Sequence, residues 1–163
     1  MGIPLEKAKL INIELSQRDI RKIYPPDWAA ILEPQWLKLR ETAEVYGLYV
    51  GESLKCIGIL FPEVLPALSP IEAAARYQFS EYDYLGYLFT PEAFRKQGWA
   101  SMWFTKLIRE TPHQSVWLSI ENEELYSFYT RLGFKGIGSS LVGAEERKSQ
   151  QAERFLVGAY AAD

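Results

Sequence analysis

The run SVWLSI, residues 115–120, restricts the fold more than any other segment of this chain. It is short and almost continuously apolar, as a strand covered on both faces must be. Before it, Trp99, Trp103 and Leu107 recur at four-residue spacing with Met102 beside them, giving a helix to about Glu110 with one strongly apolar face. Thr111-Pro112 ends that helix. After it, Asn122 suits a helix cap and Glu123-Glu124 suit the positive end of a helix. Leu125, Phe128, Tyr129 and Leu132 are expected on an inward stripe, and Gly133 is expected to stop the helix. A buried strand between two amphipathic helices implies sheet packed on helix.

The first half fits the same plan. KLINIEL (9–15) alternates as a strand does, and a short helix is expected from Ser16 to just before Pro25-Pro26. PQWLKLRETAE predicts a second helix with Pro34 near its start and Trp36, Leu37 and Leu39 packing inward. VYGLYVGESLKCIGILF reads as a hairpin turning at Gly51-Glu52-Ser53. Residues 62–80, broken by three prolines, read as an insertion or long loop, within which IEAAARY could form a short helix. EYDYLGYLFT (81–90) is an aromatic strand, and FKGIGSSLV and ERFLVGAY supply two last strands around the polar GAEERKSQQA. The expected order is strand, two helices, three strands, helix, strand, helix, two strands. That makes one mixed α/β (α+β) domain over residues 1–163, with no repeat and no dividing linker.

Bulk properties narrow the function. Hydrophobic content of 48% and charged content of 24% suit a folded globular chain, and 163 residues suffice for a sizeable core. A net charge of −3 offers no basic field for nucleic acid or an anionic membrane. MGIPLEKAKL lacks the apolar core of a signal peptide, and no stretch approaches membrane-spanning length, so a cytoplasmic location is expected. The single cysteine, Cys56, excludes an internal disulfide, and with the single His113 it makes no metal site.

FTPEAFRKQGWASM (89–102) joins the aromatic strand to the helix that follows. A helix N-terminus exposes unpaired N–H groups and about half a positive charge, and so favours an anion. Gly98 and the small Ala100 leave the backbone approachable, while Arg95 and Lys96 add charge. The segment has neither the Gly-Lys-Ser/Thr of a Walker A loop nor the three glycines of a dinucleotide site. By itself it fits both an ordinary strand-to-helix turn and a phosphate cradle.

A second segment distinguishes them by resemblance. Arg95, Gly98 and Ala100 match the Arg/Gln-x-x-Gly-x-Gly/Ala motif of the GNAT (Gcn5-related N-acetyltransferase) family, with Phe89-Thr90-Pro91 standing in for its Val-x-Pro. NEELYSFYTRLGF resembles that family's second motif and puts Asn122, Leu125, Tyr129, Gly133 and Phe134 in register. Both motifs occur in the family's order, separated by a strand. The resemblance extends over most of residues 8–160, and residues 84–134 carry its specific part. The chain departs from the pattern in one respect: Pro91 is followed by Glu92, Ala93 and Phe94, which makes the loop one residue longer.

The resemblance implies a GNAT fold: a central mixed, mostly antiparallel sheet of six to seven strands flanked by about four helices. It implies transfer of an acetyl group from acetyl-CoA to an amine by direct attack in a ternary complex. The backbone amides of Lys96, Gln97, Gly98, Trp99 and Ala100, with Ser101 nearby, would hold the pyrophosphate. Backbone groups around Leu88 and Phe89 would fix the pantetheine arm and polarise the thioester carbonyl. Asp83, six positions before Phe89, matches the family's catalytic carboxylate, and Glu81 lies two residues earlier on the same expected face. Tyr129 takes the general-acid position, and Asn122 combines helix capping with a cofactor contact.

The acceptor would be a small amine, an amino-acid-like molecule or a peptide amine; the acidic pair favours a cationic one. Homodimers are common in the family. The competing function is a non-catalytic GNAT-like module that binds CoA and regulates or assembles with a partner. Tyr129 also has an ordinary use as a core residue, and Asp83 and Glu81 as exposed strand-end acids. Trp99 and Trp103 are expected in the core, Cys56 buried and inert, and His113 in a surface loop. Trp28, Trp36, Tyr82 and Tyr84 suit either an acceptor pocket or plain packing.

Overall fold

The computed structural model describes residues 7–66, 73, 79–120, 124–136 and 156–161. In chain order these form β1 (Ala8–Ile13), α1 (Gln17–Ile23), α2 (Pro26–Leu39), β2 (Glu44–Val50), β3 (Ser53–Phe61), β4 (Asp83–Phe89), a 3-10 turn (Glu92–Phe94), α3 (Trp99–Glu110), β5 (Ser115–Ile120), α4 (Glu124–Arg131), β6 (Lys135–Gly136) and β7 (Leu156–Ala161). The hydrogen-bonded strand order is β1-β2-β3-β4-β5-β7-β6. β4 and β5 run parallel, whereas β1/β2, β2/β3, β5/β7 and β6/β7 are antiparallel. This is the mixed, mostly antiparallel seven-stranded sheet that the resemblance implies, with four α-helices among the described residues.

Two compact units make up the chain. One contains the described residues up to Pro66 together with Leu85–Pro112; the other contains 73, 79–84 and the described residues after Pro112. β4 therefore belongs to both, with Asp83 and Tyr84 in the second unit and the rest in the first.

In the first unit, α1 starts at a complete capping box. The Asp19 N–H donates to Ser16 Oγ at 3.1 Å and the Ser16 N–H donates to Asp19 Oδ2 at 2.9 Å. Hydrogen bonding to the Ser16 backbone first, and then to the Ser16 side chain, holds the Asp19 carboxyl below its ordinary value. α2 differs from the expected second helix. It begins at Pro26 rather than near Pro34, because a proline at the first helical position gives up only an N–H that has no intrahelical partner. Pro34 lies within α2 on an exposed position, and the helix ends at Leu39. Ala29, Leu32, Trp36 and Leu39 form its buried stripe, and the Trp36 indole donates to the Leu15 carbonyl at 2.7 Å. Leu37, expected inside, is 54% exposed because the stripe that packs inward runs through Leu32, Trp36 and Leu39.

β3 is buried continuously from Cys56 to Phe61, as a strand covered on both faces should be. α3 packs on it through Trp103, which is fully buried and donates from Nε1 to the Tyr46 carbonyl at 2.8 Å. The indole fits because position 58 is glycine. A Cβ there would lie 2.5 Å from Trp103 Cζ2 and 3.0 Å from Leu88 Cδ1. The buried Trp99, Trp103 and Leu107 match the expected apolar face.

In the second unit, β5 buries Val116, Trp117 and Leu118 in succession. Tyr84 packs on Trp117 at 4.6 Å between ring centroids and Phe79 packs on it at 6.1 Å. α4 ends as the Gly133 signal predicts. The Gly133 N–H donates to the Thr130 carbonyl and the Phe134 N–H to the Tyr129 carbonyl, with Gly133 at φ 107, which is a Schellman motif. Leu125, expected on the inward stripe, is 42% exposed, at the margin of that stripe. Within 62–80, residues 67–72 and 74–78 lie outside the described residues, as does 143–152.

Two consequences are measurable. Gly58→Ala should destabilise the protein by about 1–3 kcal/mol through overpacking. That corresponds to roughly 2–4 °C of Tm per kcal/mol in a chain of this size; an unchanged thermal unfolding curve would mean that Trp103 yields freely. The second concerns Cys56, whose thiol burial pushes up to about 12 against opposing hydrogen bonds from Thr90 and the Ile57 backbone. The unfolded thiol ionises near 9.0, so its contribution to stability is complete below that pH and is lost as pH rises toward 12. Urea unfolding should show the chain losing about 1 kcal/mol per pH unit above that point relative to Cys56→Ala. Parallel curves for the two proteins would contradict the shift.

Candidate functional site

The site begins where β4 stops being regular. Tyr87 has φ 56, a left-handed conformation that costs a residue with a Cβ roughly 1–2 kcal/mol. Its carbonyl accepts a hydrogen bond of 2.8 Å from the hydroxyl of Tyr24, the residue that caps the end of α1. Tyr24 is buried, and burial, with Cys56 and Tyr87 adding to it, pushes its phenol well above the ordinary range. It therefore stays protonated and can donate. Tyr24, Trp28, Tyr87 and Phe89 gather into one cluster with ring centroids 5.8–6.1 Å apart. Tyr24 and Tyr87 carry no motif, and nothing local in the sequence marks them.

Past Phe89 the chain turns at Pro91. The Phe94 N–H donates to the Pro91 carbonyl at 2.8 Å and the Arg95 N–H to the Glu92 carbonyl at 3.3 Å. The residue by which this loop exceeds the motif's usual length is wound into that 3-10 turn. Arg95 resumes an extended backbone, Lys96 takes φ 63, and Gly98 takes φ 86 as the N-cap of α3. Lys96 and Gly98 are thus left-handed on either side of Gln97, and left-handed residues are a component of anion-binding nests.

The start of α3 is left bare. Gly98 provides no capping side chain, and the first turn holds no acidic residue. The Met102 N–H closes the first intrahelical bond to the Gly98 carbonyl, so the amides of Gly98, Trp99, Ala100 and Ser101 have no acceptor inside the helix. A Cβ built on Gly98 would meet nothing within 4 Å, so the space in front of it is open. α1, which carries its own Ser16–Asp19 cap, is the opposite case.

Side chains frame this loop in specific ways. Arg95 Nε donates to the Thr90 carbonyl at 3.0 Å, and its guanidinium lies 5.7 Å from the Phe89 ring centroid. The Trp99 indole donates to Gln97 Oε1 at 3.0 Å. Trp99 is buried, in accord with its expected core role. Lys55 on β3 was not a candidate, yet its ammonium sits 3.6 Å from the Phe94 ring centroid and 5.6 Å from that of Trp99. The structure thus assembles Leu88, Phe89 and Arg95–Ser101 within the first unit.

Glu81, Asp83 and Tyr129 belong to the second unit. Asp83 opens β4, and Glu81 is exposed in the turn before it, so alternation along a strand does not apply to Glu81. His113, expected in a surface loop, is buried, with Nδ1 2.5 Å from Asp83 Oδ2. A carboxylate thirty positions away draws the imidazole inward, and no local pattern signals that. Tyr129 is half-buried on α4, its ring edge-on to Phe128 at 5.0 Å and to Phe134 at 5.4 Å. Asn122 lies outside the described residues. Of the four aromatics with two uses, Trp36 and Tyr84 are packing residues, Tyr82 sits against Phe79, and Trp28 stands in the cluster beside β4. Among the described residues no three His, Cys, Asp or Glu side chains are grouped to hold a metal, and no helix is long and apolar enough to cross a membrane.

Neither a family model nor a curated protein sequence matches the chain. Solved structures do match. A Bacillus subtilis acetyltransferase in complex with CoA aligns over 96% of this chain and 100% of its own, with TM-score 0.61 and 11% identity. A GNAT family acetyltransferase from Elizabethkingia anophelis with acetyl-CoA bound aligns over 96% and 99%, with TM-score 0.57 and 8% identity. FeeM, an N-acyl amino acid synthase from uncultured soil microbes, aligns over 94% and 90%, with TM-score 0.57 and 18% identity. Across nearly its whole length, the chain has the fold of the GNAT acetyltransferases.

Proposed function

We propose that the protein is an acetyl-CoA-dependent N-acetyltransferase acting on a small amine, amino-acid-like or peptide acceptor. The observation that carries this is the bare N-terminus of α3, preceded by left-handed Lys96 and Gly98 within the matching Arg95-x-x-Gly98-x-Ala100. Acetyl-CoA would supply the activated acyl group. The amides of Lys96 to Ala100, with Ser101, hold its pyrophosphate, for which the open face of Gly98 leaves room. Backbone groups at Leu88 and Phe89, next to the kink at Tyr87, orient the thioester and polarise its carbonyl.

The acceptor amine must be neutral to attack, although an ordinary primary amine is mostly protonated near pH 7. Asp83 takes up that proton, and His113, bonded to the same carboxylate, shares and orients it. As the C–N bond forms and the C–S bond breaks, Tyr129 gives its proton to the departing sulfur. Asn122 serves as a further cofactor contact, and Glu81 as an acid beside Asp83 at the mouth of β4.

Binding comes first in the test. CoA at a hundred times its Kd should stabilise the protein by about 2.7 kcal/mol in thermal unfolding, and Gly98→Glu should remove the shift by placing bulk and negative charge in the cradle. No stabilisation by CoA or acetyl-CoA would refute the assignment. Transfer comes second, followed by thiol release. Tyr129→Phe and Asp83→Asn should each slow turnover by roughly a hundredfold with CoA affinity retained. Unchanged turnover would remove the residue concerned from the mechanism, and CoA binding without transfer to any amine would favour a non-catalytic CoA-binding module.

A further inference from the structure

The rings gathered at the end of β4 stand where an acceptor would enter the proposed site. Tyr87 and Phe89 flank Leu88, so their rings border the backbone proposed to hold the thioester; the inference therefore rests on the acetyl-transfer reading. Trp28, in the first turn of α2, meets both rings edge to face, at 6.1 Å from Tyr87 and 5.8 Å from Phe89. Tyr24 is buried and lies 5.8–6.0 Å from all three. Trp28, Tyr87 and Phe89 remain half-exposed.

Rings this close fill the space between them. A cage for an ammonium needs ring faces turned toward a vacant centre, each within about 6 Å of the cation. Here those distances separate the rings from one another, so what they present outward is a continuous apolar wall. Ile31, 58% exposed, follows Trp28 by three residues and extends the same face of α2. At Phe89 the neighbouring charge is positive, with the Arg95 guanidinium 5.7 Å from the ring centroid.

We infer that Trp28, Tyr87 and Phe89 form the acceptor-binding wall and select a primary amine borne on an aromatic or bulky apolar group over a polyamine. The wall buries the body of such a molecule while its amine reaches the end of β4, whereas a polycation would leave its charges against hydrocarbon and beside Arg95.

The test uses acetyl transfer to phenethylamine, tryptamine, putrescine and spermidine, with CoA affinity measured separately by calorimetry. The expected result is a kcat/KM at least roughly tenfold higher for the two aromatic amines. Trp28→Leu, which keeps an apolar side chain, should erase that preference and leave CoA affinity within about twofold; Trp28→Ala, which removes the ring and its bulk, serves as the second variant. A preference for the polyamines, an equal loss on all four amines, or CoA binding with none of the four accepted would overturn the inference and leave the CoA site standing. Failure to bind CoA would overturn both.

Discussion

The seating of Trp103 on β3 is the contact on which the rest of the first unit depends. A helix can direct its N-terminus at a ligand only if its own orientation is fixed, and α3 is fixed by an indole that fills the space a Cβ at Gly58 would need. The indole N–H is tied to the Tyr46 carbonyl, so the ring also has a defined rotation. Trp99 and Leu107, one turn to either side, continue the same buried face. The loop before α3 therefore arrives at a rigid base, and its unusual backbone at Lys96 and Gly98 is held in place rather than averaged away.

That rigidity matters because α1 and α3, two of the three helices of the first unit, start in different ways. α1 satisfies the Ser16 and Asp19 amides with the Asp19 and Ser16 side chains, which stabilises the helix by about 1 kcal/mol. α3 has glycine at the cap and no acid in its first turn, which forgoes that stabilisation. Left-handed Lys96 adds a conformational cost, as Tyr87 does at the end of β4. Such costs are repaid when an anion supplies the missing acceptor. Tyr87 precedes and Lys96 lies within the segment 88–101, to which the proposed chemistry assigns the thioester and the pyrophosphate.

What could be read from the sequence follows the range of the forces involved. α3, β5 and the end of α4 were legible because their patterns are dense and local: Trp99, Trp103 and Leu107 on one face, three adjacent apolar residues in β5, and Gly133 at a Schellman stop. The start of α2 was not, because Pro25-Pro26 resembles a stop and Pro34 resembles a start. Which role a proline takes depends on whether its missing N–H had a partner. Leu37 and Leu125 fell on the wrong side because a helix face is phased by what it packs against. His113 is the clearest case: its burial depends on Asp83, distant in the chain, and Tyr24 likewise reaches Tyr87 across 63 positions. The loop motif named its own residues, but the extra residue after Pro91 became intelligible only as a 3-10 turn.

The central claim is that the backbone amides at the start of α3 hold the phosphates of CoA. The most direct measurement is an amide ¹⁵N–¹H NMR titration of the whole protein with CoA. The account predicts that the largest shifts fall on the amides of Gln97, Gly98, Trp99, Ala100 and Ser101, while those of the capped start of α1 stay in place. Saturable binding with these five amides unmoved would contradict it.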